Sequence, residues 1–267
     1  MIPEALEAAI QKDIAAGYVP LLVVAAIGTT GSVAIDPLRT IGEICKKYQL
    51  WLHVDAAYAG SALILPEMRY LNDGIELADS FVFNPHKWLF TNFDCSAYFV
   101  KDKEALLKTF EILPEYLKTR EGAQVNNYRD WGVPLGRRFR ALKLWFVMRS
   151  YGIEGLQEKL RLHIKMAQDL AQKMAATQEF ELLAPVVLNA ICFRYHPKEI
   201  HDALQLELLN KRLLEALNDT GKIYLTHTKL KGIYTIRLVI GQTEVQQHHV
   251  DAAWKLIQQV SRNLGET

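Results

Sequence analysis

Lys87 stands in Asn84-Pro85-His86-Lys87-Trp88, directly after the apolar run Ser80-Phe81-Val82-Phe83. An ammonium among apolar and aromatic residues is costly to keep charged. Desolvation favours the neutral amine, which is the form that attacks carbonyl carbon. Pro85 biases Asn84 towards an extended conformation and lets the chain turn at once, which sets His86 and Lys87 at the mouth of a sheet. Upstream, Trp51-Leu52-His53-Val54-Asp55 reads as a strand that ends on a carboxylate. In a parallel sheet the strand ends of one edge converge on a single crevice, so Asp55 and Lys87 are expected to face one ligand.

The elements that must position this pair follow from the pattern around them. Glu4 to Ala16 carries apolar residues at helical spacing and is closed by Gly17. The continuous apolar run Pro20 to Ile27 predicts a strand buried on both faces. Gly28-Thr29-Thr30-Gly31-Ser32 breaks it, and a helix starts with Asp36 as N-cap and Pro37 at its first position, running to about Tyr48. Ser96 to Val100 is a further strand. Strand, helix and strand in alternation predict an α/β layer with right-handed crossovers.

Periodicity fades from Thr109 to Val133, which reads as a long mobile loop of the kind that tends to be functional. Helices are expected from about Leu135 to Tyr151, stopped by Gly152, and from Ile153 to about Thr177. The tail gives a strand over Ala184–Tyr195, a helix over Leu204–Asn218, strands over Ile223–Thr226 and Tyr234–Ile240, and a closing helix over Val245–Asn263. The expected organisation is residues 1–108 as part of a large α/β domain, 109–180 as loop and connecting helices, and 181–267 as a small α+β domain.

The chain has 267 residues, half of them hydrophobic, enough for a sizeable core. A net charge of +1 gives no field to draw nucleic acid or an anionic membrane. No apolar run is long enough to span a bilayer, and the N-terminal residues lack a secretory pattern. Cys45, Cys95 and Cys192 are scattered and odd in number, so they read as buried thiols in a reducing, cytoplasmic setting. His53, Asp55 and His86 invite a metal reading, but no further ligands fall at useful spacing, and no metal is expected. Phe139, Trp145 and Phe146 are expected in the core. Arg137, Arg138 and Arg140 are expected to serve packing or an interface.

A carboxylate opposite a lysine suits pyridoxal 5'-phosphate: the lysine holds the cofactor covalently and the carboxylate keeps the ring nitrogen protonated. Small residues such as Ala56 and Ala57 leave room for a flat ring. His53-Val54-Asp55-Ala56-Ala57-Tyr58-Ala59-Gly60, Asn84-Pro85-His86-Lys87-Trp88-Leu89, Asn92-Phe93-Asp94-Cys95-Ser96 and Pro134-Leu135-Gly136-Arg137-Arg138-Phe139-Arg140 together closely resemble the group II pyridoxal-phosphate decarboxylases. Within that group the chain is most similar to the aromatic-L-amino-acid decarboxylases, and the resemblance covers essentially its whole length.

The resemblance implies the fold type I architecture of pyridoxal-phosphate-dependent transferases. It implies Lys87 as the cofactor's covalent anchor, Asp55 at the ring nitrogen, Ala57 against the ring, Thr30 near its polar edge, Asn84 on the phosphate side and His86 near cofactor and substrate. Tyr116 matches the tyrosine of the family's catalytic loop that protonates the substrate carbon after carbon dioxide leaves. Gly136 stands where plant relatives carry glycine when they prefer indolic substrates and serine when they prefer phenolic ones, and where animal relatives of broader range also carry glycine. The implied activity is conversion of an aromatic L-amino acid to its amine and carbon dioxide. Alternatives are another amino-acid substrate, an aldehyde-forming reaction, or an inactive chain that serves assembly. Members of the family carry roughly as much chain again ahead of the matched part, including a phosphate-binding loop. The expected partners are therefore a second copy in a homodimer, or a chain that supplies that half.

Overall fold

A computed structural model describes residues 1–111 and 126–265. Helix α1 (Pro3–Ala15) ends at Gly17, whose φ is 84°. There the Gly17 N–H donates to the Ile14 carbonyl and the Tyr18 N–H to the Asp13 carbonyl, each at 3.0 Å. This is the paired Schellman ending that a glycine at that point permits.

Strands β1 (Leu22–Ala26), β2 (Trp51–Asp55) and β3 (Ser80–Phe83) lie parallel, and β4 (Ala97–Val100) runs antiparallel against β3, in the order β1-β2-β3-β4. Helix α2 (Leu38–Tyr48) joins β1 to β2. The β2–β3 crossover uses three short 3-10 helices, Ala59–Ile64, Pro66–Asn72 and Ile75–Leu77, where alternation predicted an α-helix. A short helix α3 (Pro85–Trp88) follows β3, and α4 (Lys103–Phe110) follows β4. The expected loop from Thr109 to Val133 therefore begins inside α4, ends in a 3-10 turn at Tyr128–Trp131, and lies in between mostly outside the described residues.

Register explains the first core. Val23 pairs with Leu52 and Ala25 with Val54, which puts all four on one face. They pack with Ile10, Leu38 and Ile41 in one buried cluster. The other face carries Leu22, Val24, His53, Asp55 and Tyr98. Leu22 is 54% exposed and Val24 46%. The expectation of a strand buried on both faces is thus corrected. β1 pairs only with β2 among the described residues, and no part of them covers its second face.

Helix α5 (Arg140–Ala175) starts five residues later than expected and breaks its dihedrals at Gly152, φ 64°. Its second arm gives Leu156, Leu160 and Ile164 to the first cluster, and Met166, Leu170 and Met174 to a second. That second cluster lies on an antiparallel sheet of order β5-β6-β8-β7: β5 (Phe180–Leu182), β6 (Ala190–Tyr195), β7 (Thr226–Leu230) and β8 (Ile233–Val239). Helices α6 (Ala203–Asp219) and α7 (Gln247–Gly265) pack on it through Leu213, Leu217 and Ile257.

Several sequence expectations shift. Strand β5 has no counterpart among them, and β6 is half the length expected. β7 sits later because Lys231 (φ 50°) and Gly232 (φ 81°) make a two-residue hairpin turn with both residues left-handed. Asp36 does not cap α2. Pro37 takes that place with no side-chain cap, while the Asp36 carboxylate accepts the Ala26 N–H at 2.8 Å and pairs with the Met1 ammonium. Phe139, Trp145 and Phe146 are exposed at 75%, 52% and 58%. They lie at the start of α5, where Trp145 meets the Phe146 ring edge-on at 5.2 Å and the Arg149 guanidinium at 6.0 Å and stays outside both buried clusters.

Candidate active site

Asp55 is the last residue of β2, and its Oδ1 accepts the Ala57 N–H at 2.9 Å. The Ala56 N–H donates to the Val82 carbonyl at 2.9 Å, and the Asn84 N–H to the Ala57 carbonyl at 3.0 Å. The turns leaving β2 and β3 are therefore stitched together at one edge of the parallel sheet. Gly28 brings the turn after β1 to the same place. Its φ is 81°, and a Cβ there would lie 2.5 Å from the Ala59 Cβ, so the close approach requires glycine.

Asn84 is extended (φ −114°, ψ 97°) and caps α3, as Pro85 predicts. Behind Lys87, Trp88 is fully buried. Lys87 itself is exposed, and so is Asp55. This corrects the expectation of a desolvated lysine. Among the described residues neither Lys87 Nζ nor Asp55 Oδ2 has a hydrogen-bond or ion-pair partner, and no element stands over them to exclude water.

His86 is half-buried, with its ring edge-on to Phe93 at 4.8 Å between centroids. Its Nδ1 lies 2.6 Å from the Cys95 carbonyl oxygen and 2.9 Å from the Cys95 nitrogen. A protonated Nδ1 donates to that carbonyl, and an unprotonated one accepts that N–H. The ring thus keeps a main-chain partner in either tautomer, and Nε2 is left as acceptor or donor accordingly. The Asn84 side chain accepts the Ser96 hydroxyl at 2.6 Å through Oδ1, which leaves its amide free to donate. Thr30 is exposed on the loop after β1. Tyr116 lies outside the described residues.

Two neighbours had no role in the sequence reading. Arg237 of β8 donates from Nε to the Gly31 carbonyl at 2.8 Å and from Nη1 to Thr226 Oγ1 at 2.9 Å, fastening the second sheet to the Thr30 loop. A lone charge inside the apolar run Tyr234–Ile240 was the available signal. Asp94, close to His86 in sequence, accepts from Arg140 at 2.9 Å, with Arg138 at 3.9 Å and Lys143 at 4.0 Å. Hydrogen bonding to Arg140 holds its carboxyl below the usual range.

A family described as the pyridoxal-dependent decarboxylase conserved domain matches residues 1–196. The chain belongs to this family. A tryptophan decarboxylase of Camptotheca acuminata is 47% identical over 96% of the chain and 52% of its own length. Tyrosine decarboxylase 2 of Narcissus pseudonarcissus is 46% identical over 97% and 52%. A crystal structure of Oryza sativa TDC with PLP and tryptamine superposes with a TM-score of 0.96 at 39% identity, covering 99% of this chain and 55% of that one. The chain spans about half the length of the curated relatives it matches.

The residues present fit one side of a pyridoxal cofactor. A free carboxylate oxygen suits a protonated ring nitrogen, an unpaired lysine suits its aldehyde, and the methyl of Ala57 leaves space for a ring between them. The Asn84 amide is a donor free for an anionic group.

Proposed function

We propose that this chain forms the lysine-bearing half of a pyridoxal-phosphate-dependent decarboxylase that converts an aromatic L-amino acid to its amine and carbon dioxide. One observation carries the reading. Asp55 and Lys87 leave adjacent parallel strands at the same edge, stitched by the Asn84–Ala57 hydrogen bond, with Lys87 Nζ and Asp55 Oδ2 both uncommitted among the described residues. Relatives named for tryptophan and for tyrosine are equally similar, which supports an aromatic substrate and leaves the choice of ring to the pocket.

Bound pyridoxal phosphate supplies the electron sink for the bond to the departing carboxyl carbon. Lys87 would hold the cofactor through Nζ. Asp55 keeps a proton on the ring nitrogen by charge pairing, and Ala57 sets how closely the ring approaches the sheet. His86 carries a proton at Nε2 in one of its two main-chain-held tautomers. Asn84 and Thr30 offer donors at the polar edge, and Tyr116 returns a proton to the substrate carbon. Exposure of Lys87 and Asp55 calls for a polypeptide that closes over them, from a second copy or from a segment that supplies the other wall.

The test is to incubate the protein with pyridoxal phosphate, reduce with borohydride and map the adduct by peptide mass spectrometry. Stoichiometric labelling of Lys87, lost in Lys87→Ala, is expected. Labelling scattered over surface lysines would refute the assignment. Amine release from tryptophan or tyrosine, in preference to aldehyde and peroxide, then checks the reaction.

A further inference from the structure

Trp88 and Tyr58 follow the two key residues, one and three positions after Lys87 and Asp55. Their rings stack at 5.3 Å and 10°. Each then sends its single polar hydrogen to a buried side chain from the second half of the chain. The Trp88 indole N–H donates to His163 Nδ1 at 3.1 Å. The Tyr58 hydroxyl donates to Asn189 Oδ1 at 2.5 Å. His163 is 1% exposed and Asn189 is fully buried.

The second acceptor is itself held. Asn189 donates through Nδ2 to the Ile240 carbonyl at 2.7 Å, and its own carbonyl accepts the Ile240 N–H at 2.9 Å. Gly241 lies against the Trp88 ring, a Cβ there falling 3.6 Å from Trp88 Cδ1. Because tryptophan can only donate, His163 Nδ1 must be unprotonated, which puts the proton on Nε2. Burial, with Lys159 adding to it, pushes the His163 pKa down to about 4, so the accepting form persists at neutral pH. Two turns of the first sheet are thereby tied to helix α5 and to Ile240 and Gly241, which leave β8.

We propose that His163 and Asn189 are positioning residues that, through Trp88 and Tyr58, hold Lys87 and Asp55 in mutual register. Neither touches the crevice. A fully buried anchor one residue on fixes the backbone at Lys87, so the direction in which its Cα–Cβ bond leaves the turn is set by how the Trp88 ring is seated. The ring lies flat against Tyr58, which fixes it in one direction, and the hydrogen bond to His163 fixes its rotation about that contact. The roles given to Lys87 and Asp55 rest on the proposed function. The geometry of the clamp does not.

The experiment uses the whole protein with His163→Leu, His163→Asn and Tyr58→Phe. Asparagine keeps an acceptor oxygen near the place of Nδ1, and leucine removes it at similar bulk. Nitrogen NMR of wild type is expected to show His163 as the Nε2–H tautomer and a Trp88 indole N–H slow to exchange. In His163→Leu that exchange speeds by about tenfold or more, as the loss of one buried hydrogen bond implies. Labelling by pyridoxal phosphate and borohydride then shifts from Lys87 to other lysines by a similar factor. His163→Asn restores both, which simple packing loss would not do. Folded His163→Leu that labels Lys87 like wild type overturns the proposal. Should that variant fail to fold, Tyr58→Phe must still loosen labelling at Lys87, or the clamp is refuted. Failure of wild type to label Lys87 sinks the proposed function instead. In that case, fast indole exchange in wild type would refute the clamp, and slow exchange abolished by His163→Leu would uphold it.

Discussion

Gly28→Ala isolates the packing that draws the three strand-end turns together. Two costs are separable in the structure. The first is conformational: Gly28 has φ 81°, where an L side chain costs about 1–2 kcal/mol. The second is steric. The new Cβ would lie 2.5 Å from the Ala59 Cβ, whereas carbon atoms settle at about 3.5–4.0 Å, so the turns must part by about 1 Å or more. Forcing extra carbon into a packed site costs about 1–3 kcal/mol. Gly17 supplies the control, with φ 84° and nothing within 4 Å of an added Cβ. Gly17→Ala carries the first cost alone. Urea unfolding of wild type and both variants is expected to place Gly28→Ala below Gly17→Ala by about 1–3 kcal/mol, the steric share. Equal losses would refute the close approach of the β1 turn to Ala59, and with it the argument that Thr30 is delivered to the Asp55 edge.

Two further outcomes are expected. His163 has a pKa lowered from its ordinary 6.5 to about 4 by burial, so between those values the unfolded chain binds the proton that the folded chain refuses. Stability is therefore complete above pH 6.5 and falls as pH drops towards 4, by up to roughly 3 kcal/mol. His163→Asn should flatten that limb in unfolding curves taken across pH 4–7, and an unchanged limb would locate the proton elsewhere. On the uncovered sheet face, Leu22→Lys with Val24→Lys is expected to lower self-association of the isolated chain in sedimentation velocity. Stability should change by no more than about 0.5 kcal/mol per site, since both side chains already meet water. A wild-type chain that stays monomeric at high concentration would contradict this expectation.

Much of this was legible from residue order, because the signals were local. Gly17 and Gly152 punctuate helices through φ values that only glycine adopts cheaply, and the structure has both breaks where they were expected. Pro85 fixes the extended Asn84 and the turn at Lys87 by sterics between neighbours. The strands that end at Asp55 and Phe83 follow from short apolar runs with turn residues behind them. Exposure was not legible. Leu22, Val24, Phe139 and Trp145 have the composition of core residues, but burial depends on what packs opposite, and the described chain leaves each of them about half or more exposed. The same holds for Lys87 and Asp55, whose pairing the sequence implied and whose openness to solvent only the assembled sheet revealed. Nor could spacing along the chain bring His163 to Trp88 or Asn189 to Tyr58, contacts across 75 and 131 residues. Those exist because helix α5 and the second sheet fold back on the first, and tertiary packing alone decides which buried donor meets which acceptor.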